Sequence, residues 1–372
     1  MSGAVLLTGA TGFLGMEVLQ RLVEEHDRDV IALVRAGDEH EARERMDGVL
    51  RRLYATPPPA YDRVHALPAD LVHDGLGLSA DHRREVLART SVIVHCAASI
   101  RFDLPLEEAL SINVSGAERI LDLGDELERR GRLEQIVHVS TAYVAGRHDG
   151  PFAETDLDLG QRFRNTYEQS KLEAERRIRA RQLPVLVARP SIIVGESTSG
   201  WTPAFNVIYW PLQAFARGLI KRVPADPDGI VDIVPVDYVA GAVAALTGLS
   251  AQSDTLHLVA GERATTVAEL IALASASFGK TPPEVVSPQT SDTIDAGDPF
   301  VPYFDVRARF DDALTRERLT PLGHGVPALT SYFDALIDYA RDSHWGKRPM
   351  TREAARAAAA ESSRGAVVEQ VA

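Results

Sequence analysis

One cysteine, Cys96, occurs in 372 residues, so neither an intrachain disulfide nor a thiolate metal cluster can form. That usage suits a reducing cytoplasm, the compartment the sequence predicts. No apolar run reaches the roughly 18 residues that a bilayer span needs. The chain opens on Ser2-Gly3-Ala4-Val5 without the basic stretch of a signal peptide. Basic residues are outnumbered, 40 against 53, and the formal net charge of −13 argues against nucleic acid as a partner. Lysine is much the rarer of the two bases: Lys171, Lys221, Lys280 and Lys347 complete the set. Eleven histidines are present. None falls in an H-E-x-x-H pattern, His40-Glu41 lacks a second histidine at the needed offset, and no metal is expected. Gly195-Glu196-Ser197-Thr198-Ser199 lacks the closing glycine of a serine-hydrolase elbow. No fixed-period repeat is visible. What remains is ordinary globular composition, 45% hydrophobic and 25% charged. The length fits one large domain or a domain with an added lobe.

The first half alternates short apolar runs with helix-length segments. Ala4–Thr8, Val30–Val34, Val64–Leu67, Ser91–His95, Gln135–Ser140 and Pro184–Ala188 read as strands. Phe13–Glu25, Glu39–Tyr54, Leu106–Arg129 and Tyr167–Arg181 read as helices, the last with Glu173–Arg177 and Glu175–Arg179 as i,i+4 pairs. Continuous apolar strands separated by helices predict an α/β fold, a doubly wound parallel sheet of Rossmann type. After Gly195 prolines and glycines become frequent. Residues 1–195 form the expected dinucleotide-binding domain. Residues 196–229 and 261–350 form a smaller, mostly helical substrate lobe, with 230–260 returning to the sheet through Val231–Val234 and Thr255–Val259. The last stretch, 351–372, is read as a helix or loose tail without chemistry.

Thr8-Gly9-Ala10-Thr11-Gly12-Phe13-Leu14-Gly15 lies between the first strand and the first helix, with glycines spaced G-x-x-G-x-x-G. A pyrophosphate needs backbone N–H groups and a helix N-terminus at close range, and Cβ atoms would block that approach. Arg35, twenty residues past Gly15, stands where an NAD site would carry Asp or Glu. A guanidinium there pairs instead with a 2′-phosphate, which predicts NADPH. Asp70, ending the third strand, is either an acceptor for the adenine amino group or a turn aspartate, and Leu71 beside it joins the cofactor set.

Tyr167-Glu168-Gln169-Ser170-Lys171 places a tyrosine and a rare lysine four apart, on one helix face. With nine tyrosines and four lysines in the chain, about 0.1 such pairs would arise by chance. A nearby ammonium is expected to lower the phenol pKa toward a useful range. Upstream, Thr141 ends the fifth strand, where open parallel sheets bind ligands. Thr141 and Tyr167 are thus placed to polarise one carbonyl oxygen, with Ser140 as the competing hydroxyl.

With these motifs in this order, the sequence resembles the extended short-chain dehydrogenase/reductase superfamily, most closely over 1–260. Longer strings resemble its fatty acyl-CoA reductase and carrier-protein thioester reductase group: His95–Asp103, Ile112–Gly116, Val139–Gly146, Arg189–Ser197 and Val231–Val239. The resemblance implies Thr141, Tyr167 and Lys171 as a catalytic triad, with Lys171 also on the nicotinamide ribose. It implies Gly9, Thr11, Gly12, Phe13, Leu14 and Gly15 around the pyrophosphate and Arg35 on the 2′-phosphate. It further implies Ala97 and Ala98 along the cofactor groove, Asn113 as a support of the site, and Pro190, Ser191, Ile192 and Ile193 beside the nicotinamide. The expected activity is NADPH-dependent reduction of an acyl thioester, carried by coenzyme A or by an acidic acyl carrier protein, to an aldehyde or alcohol. Arg176–Arg181 is a candidate carrier contact or a solvated helix end. The apolar segment Gly200–Trp210 is either an acyl-chain wall or lobe packing. The alternatives are a sterol- or flavonoid-type reductase of free carbonyls, a nucleotide-sugar epimerase or dehydratase, and a cofactor-sensing regulator without chemistry.

Overall fold

The computed structural model of the protein describes residues 3–205, 207–249, 253–287 and 301–371. Asn206 of the aromatic segment and residues 288–300 of the expected lobe lie outside the described residues.

The apolar runs and their intervening helices fold in the predicted alternation. In order come β1 (Ala4–Thr8), α1 (Phe13–Glu25), β2 (Val30–Arg35), α2 (Glu39–Leu53), β3 (Val64–Ala69), α3 (Ala80–Arg89), β4 (Thr90–His95) and α4 (Leu106–Arg129). β5 (Gln135–Val139), a short β6 (Asp149–Phe152), α5 (Thr166–Arg179), β7 (Val185–Pro190) and β8 (Ile192–Val194) follow. The second half carries α6 (Tyr209–Ala216), β9 (Arg222–Pro224), β10 (Ile230–Val231), β11 (Ile233–Pro235), α7 (Val236–Leu246) and β12 (Thr255–Leu258). It ends with β13 (Thr265–Thr266), α8 (Val267–Phe278), β14 (Glu284–Val286), β15 (Arg307–Phe310), α9 (Ala313–Leu319), α10 (Phe333–Asp342) and α11 (Arg352–Val371).

Seven strands make one parallel sheet in the order β12-β7-β5-β4-β1-β2-β3. Every residue of β1, β4, β5 and β7 is buried, because helices cover both faces. Val5, Leu7, Val92, Val94 and Val137 face the side covered by α1 and α7. Leu6, Ile93 and Ile136 face Val86 of α3, Ile120 of α4 and Ile178 of α5. Strand order reverses at β1, so the crevice between β1 and β4 opens at the carboxyl ends of the strands.

Two expectations change. Thr255–Leu258 rejoins the sheet as its edge, but 231–234 does not. Asp232 divides that segment: Val231 pairs antiparallel with β13, whereas Ile233–Pro235 runs parallel to β8. The Asp232 carboxylate is buried, accepting from Ala260 N at 2.8 Å and Gly261 N at 3.0 Å, so the chain turns there instead of continuing as a strand. Glu175 does not pair with Arg179. It lies in the core and holds Arg189 of β7 at 2.7 Å.

A second core sits under the later elements, built from Tyr209, Leu212 and Phe215 of α6, Leu270 of α8, and Leu336 and Ile337 of α10. Trp201 is fully buried and donates from its indole to Met350 O at 3.1 Å, while Trp210 is half exposed. The segment at 351–372 is far from loose at its start: Arg352 is buried and Arg356 pairs with Glu196. Among the described residues no helix is long and apolar enough to cross a membrane.

Candidate active site

The glycines act first through backbone shape. Gly9 has φ +77, and a Cβ on it would meet Ala97 N at 2.7 Å. A Cβ on Gly15 would lie 1.9 Å from Gly9 O, so α1 can approach the turn this closely only with glycine there. Gly12 caps α1 without a side-chain hydrogen bond, and the first turn carries no acidic residue. The helix therefore presents uncapped N–H groups and the positive end of its dipole to an open crevice. That arrangement fits a dinucleotide pyrophosphate.

A cavity of about 710 Å³ runs from this turn along the carboxyl ends of the strands. Gly9, Gly12, Phe13, Leu14, Gly15, Ala98, Thr141, Tyr167, Lys171, Pro190, Ser191, Ile192 and Ile193 all line it. A second cavity of about 790 Å³ holds Arg35 and Asp70. Arg35 is exposed at the end of β2 and makes no ion pair among the described residues. Asp70 accepts from Val72 N at 3.1 Å, which turns the chain after β3.

Thr11, Ala97, Leu71 and Asn113 line neither cavity. Ala97 N donates to Thr8 Oγ1 at 3.2 Å. The Leu71 side chain packs toward Gly116 of α4. Asn113 works at one remove. Its Oδ1 accepts from Ser99 N at 2.8 Å, and its Nδ2 donates to Ser99 O at 3.1 Å and to Ser170 Oγ at 2.9 Å. It thus ties the loop after β4 to the helix that carries Tyr167 and Lys171.

Lys171 is buried and donates from Nζ to Val139 O at 2.7 Å. Burial lowers its pKa to about 8, against the opposing charge of Glu175. Burial also pushes the Tyr167 phenol up to about 12, only partly countered by its hydrogen bond with Thr141. The expected acidification of the phenol is therefore not what this geometry produces: the ammonium is committed to the β5 carbonyl, and desolvation prevails. At neutral pH Tyr167 carries its proton and can donate it. Thr141 Oγ1 accepts from Tyr143 N at 3.2 Å and reaches Pro190 O only at 3.4 Å.

Beneath Lys171, His95 and His138 sit on paired positions of β4 and β5, with ring centroids 5.1 Å apart. His95 Nδ1 meets Thr8 Oγ1 at 2.7 Å. Burial, and secondarily the Lys171 charge, holds His95 down at about 3 and His138 well below the usual imidazole range, so both are neutral.

The cavity also has an aromatic wall that residue spacing does not mark. Phe102 packs 5.7 Å from Tyr167 and 5.4 Å from Tyr303, which in turn meets Tyr143 edge-on at 5.0 Å. Tyr303 comes from the later half of the chain and is fixed by Asn165 Nδ2 at 2.9 Å. Phe102 and Tyr143 lie inside the strings quoted above, but Tyr303 belongs to no motif. Val207 of the aromatic segment also lines the cavity. Of the arginines in Arg176–Arg181, Arg176 pairs with Asp158 and Glu173, Arg177 with Glu173, and Arg181 with Asp122 and Asp125, while Arg179 donates to Thr155 O at 3.0 Å.

Residues 7–243 match the family model of an NAD-binding domain described as "Male sterility protein". The chain belongs to that family. This agrees with the resemblance read from the motifs, to the fatty acyl-CoA reductase and carrier-protein thioester reductase group of the extended short-chain dehydrogenase/reductase superfamily. Among its similar proteins is nonribosomal peptide synthetase asaC of Aspergillus flavus, 34% identical over 272 residues, 69% of this chain and 26% of that protein. Human fatty acyl-CoA reductase 1 is 30% identical over 273 residues, 63% of this chain and 52% of that one. This Male sterility family member thus spans between a quarter and about half of those curated relatives. The terminal R domain from the myxalamid PKS-NRPS biosynthetic pathway superposes with a TM-score of 0.79 at 25% identity, covering 94% of this chain and 93% of that one.

Proposed function

We propose that the chain reduces an acyl thioester, with NADPH, to an aldehyde and a thiol, with a second round giving the alcohol where the aldehyde stays bound. One observation carries this reading: a phenol, a hydroxyl and an ammonium converge with the glycine turn on a single cavity whose far wall is aromatic and aliphatic. Residues 1–195 with β12 hold the cofactor, and residues 196–229 and 261–350 cover the acyl group. NADPH bound there supplies the hydride. Tyr167 and Thr141 hydrogen-bond the thioester carbonyl oxygen and orient its carbon. As negative charge develops on that oxygen, the Tyr167 proton moves to it and Lys171 stabilises the resulting phenolate. Collapse expels the thiolate, which takes a proton from solvent, and the phenol is restored. The acyl donor is coenzyme A or a carrier protein.

Incubation of acyl-CoA thioesters and acyl-pantetheine with NADPH is expected to release free thiol in step with NADPH oxidation. No thiol from any chain length would sink the thioester reading.

Arg35→Ala should raise the KM for NADPH about 10- to 100-fold, the worth of one charge-assisted contact, and leave that for NADH nearly unchanged. Equal effects on both cofactors would remove Arg35 from the 2′-phosphate.

The pH profile follows from Lys171. It is charged below about 8 and neutral above, so kcat should be level at neutral pH and fall about tenfold per unit on the alkaline side. Tyr167 stays protonated through that range. Lys171→Met should give a low, flat profile; a retained alkaline limb would assign it to another group.

A further inference from the structure

We propose that Arg352 of α11 neutralises Glu17 beneath the glycine turn and so keeps the N-terminus of α1 attractive to a dinucleotide's phosphates. This rests on the reading of that turn as the cofactor site. Glu17 lies four residues into α1 from Phe13, about 6 Å along the axis from the first turn. Its side chain is fully buried. A carboxylate at that depth, left alone, would repel an anion bound at the helix end.

The Arg352 guanidinium removes that charge. Its Nη1 donates to Glu17 Oε2 at 3.0 Å, to Oε1 at 3.2 Å and to Gln20 Oε1 at 2.9 Å. Its Nη2 donates to Tyr54 Oη at 3.2 Å, and the guanidinium lies over the Tyr54 ring at 5.6 Å. Burial raises the Glu17 pKa, and Arg352 is the strongest influence in the other direction. One turn later Arg356 does the same for a second buried carboxylate. Its Nε meets Glu196 Oε1 at 2.8 Å, two residues beyond β8, whose Ile192 and Ile193 line the catalytic cavity. One helix thus supplies the countercharge for two buried acids, one on α1 a turn below the glycines and one two residues beyond β8. Arg352 touches no reacting atom and is a positioning residue.

The test separates charge from packing. NADPH dissociation constants are measured by fluorescence titration on the full chain, with thermal unfolding of the cofactor-free protein alongside. Arg352→Gln should weaken NADPH about tenfold or more. The double variant Arg352→Gln/Glu17→Gln should return to within about threefold of wild type, because no charge is left at the cradle. Glu17→Gln alone, which leaves Arg352 without its hydrogen-bonded carboxylate, should bind NADPH as tightly as wild type or tighter, and it serves if Arg352→Gln does not fold. A double variant as weak as Arg352→Gln, wild-type affinity in Arg352→Gln, or weaker binding by Glu17→Gln would each overturn the proposal. A wild-type chain that binds neither NADPH nor NADH would instead overturn the cofactor reading, and this inference with it.

Discussion

Tyr167→Phe is expected to lower kcat by about 10²- to 10⁴-fold, the usual worth of a positioned proton donor, with the NADPH dissociation constant essentially unchanged. The ring keeps its place, because its packing against Phe102 at 5.7 Å needs no hydroxyl. Only the hydrogen bond to Thr141 and the transferable proton are lost. Single-turnover measurements with NADPH and an acyl-CoA would read the chemical step, and fluorescence titration the binding. Turnover at the wild-type rate would take Tyr167 out of the chemistry and pass its role to Thr141 or Ser140. Equal losses in both quantities would mean that the variant had deformed the cavity.

Glu175→Ala should cost about 3–5 kcal/mol of stability, a large share of what holds a domain folded. Both side chains of the Glu175–Arg189 pair are wholly buried, with three donor contacts between 2.7 and 3.1 Å. Removing the acid leaves a guanidinium in the core with Asp156 O at 2.8 Å as its closest remaining partner. Urea unfolding would read the loss. Glu175→Leu with Arg189→Met should recover most of it, since replacing both charges by apolar groups is far less costly than stranding one. Any active fraction of Glu175→Ala should also show its alkaline limb below pH 8. Glu175 supports the Lys171 charge, and without it that ammonium gives up its proton more readily.

The parts of the molecule that rest on local rules could be read directly from the chain. Continuous apolar runs identified β1, β2 and β4, the first closed by glycine, and the G-x-x-G-x-x-G turn located α1 to the residue. Tyr167 and Lys171 stood out because lysine is so rare here. Elements with mixed composition escaped: α3 is mostly charged, and α7 is so apolar that its helical period is hidden. The Val231–Val234 run looked like a sheet strand because hydropathy does not register that Asp232 turns inward to two backbone amides. The i,i+4 rule paired Glu175 with Arg179, whereas tertiary packing brought in Arg189, fourteen positions on. Tyr303 and Arg352 could not be found from spacing. Each reaches the site from a distant part of the chain, and nothing in its own neighbourhood marks it.

The Arg352–Glu17 contact joins positions 335 apart. A ribosome adding about 5–20 residues per second needs on the order of 20–70 s to cover that interval. Throughout it, the first helix has emerged with an acid in its interior and only Arg21 of the same helix to offset it. The nascent chain must therefore hold this carboxyl protonated, or leave the helix loosely docked and wetted, until α11 arrives. Maturation of the phosphate cradle is thus late relative to the synthesis of its own glycines.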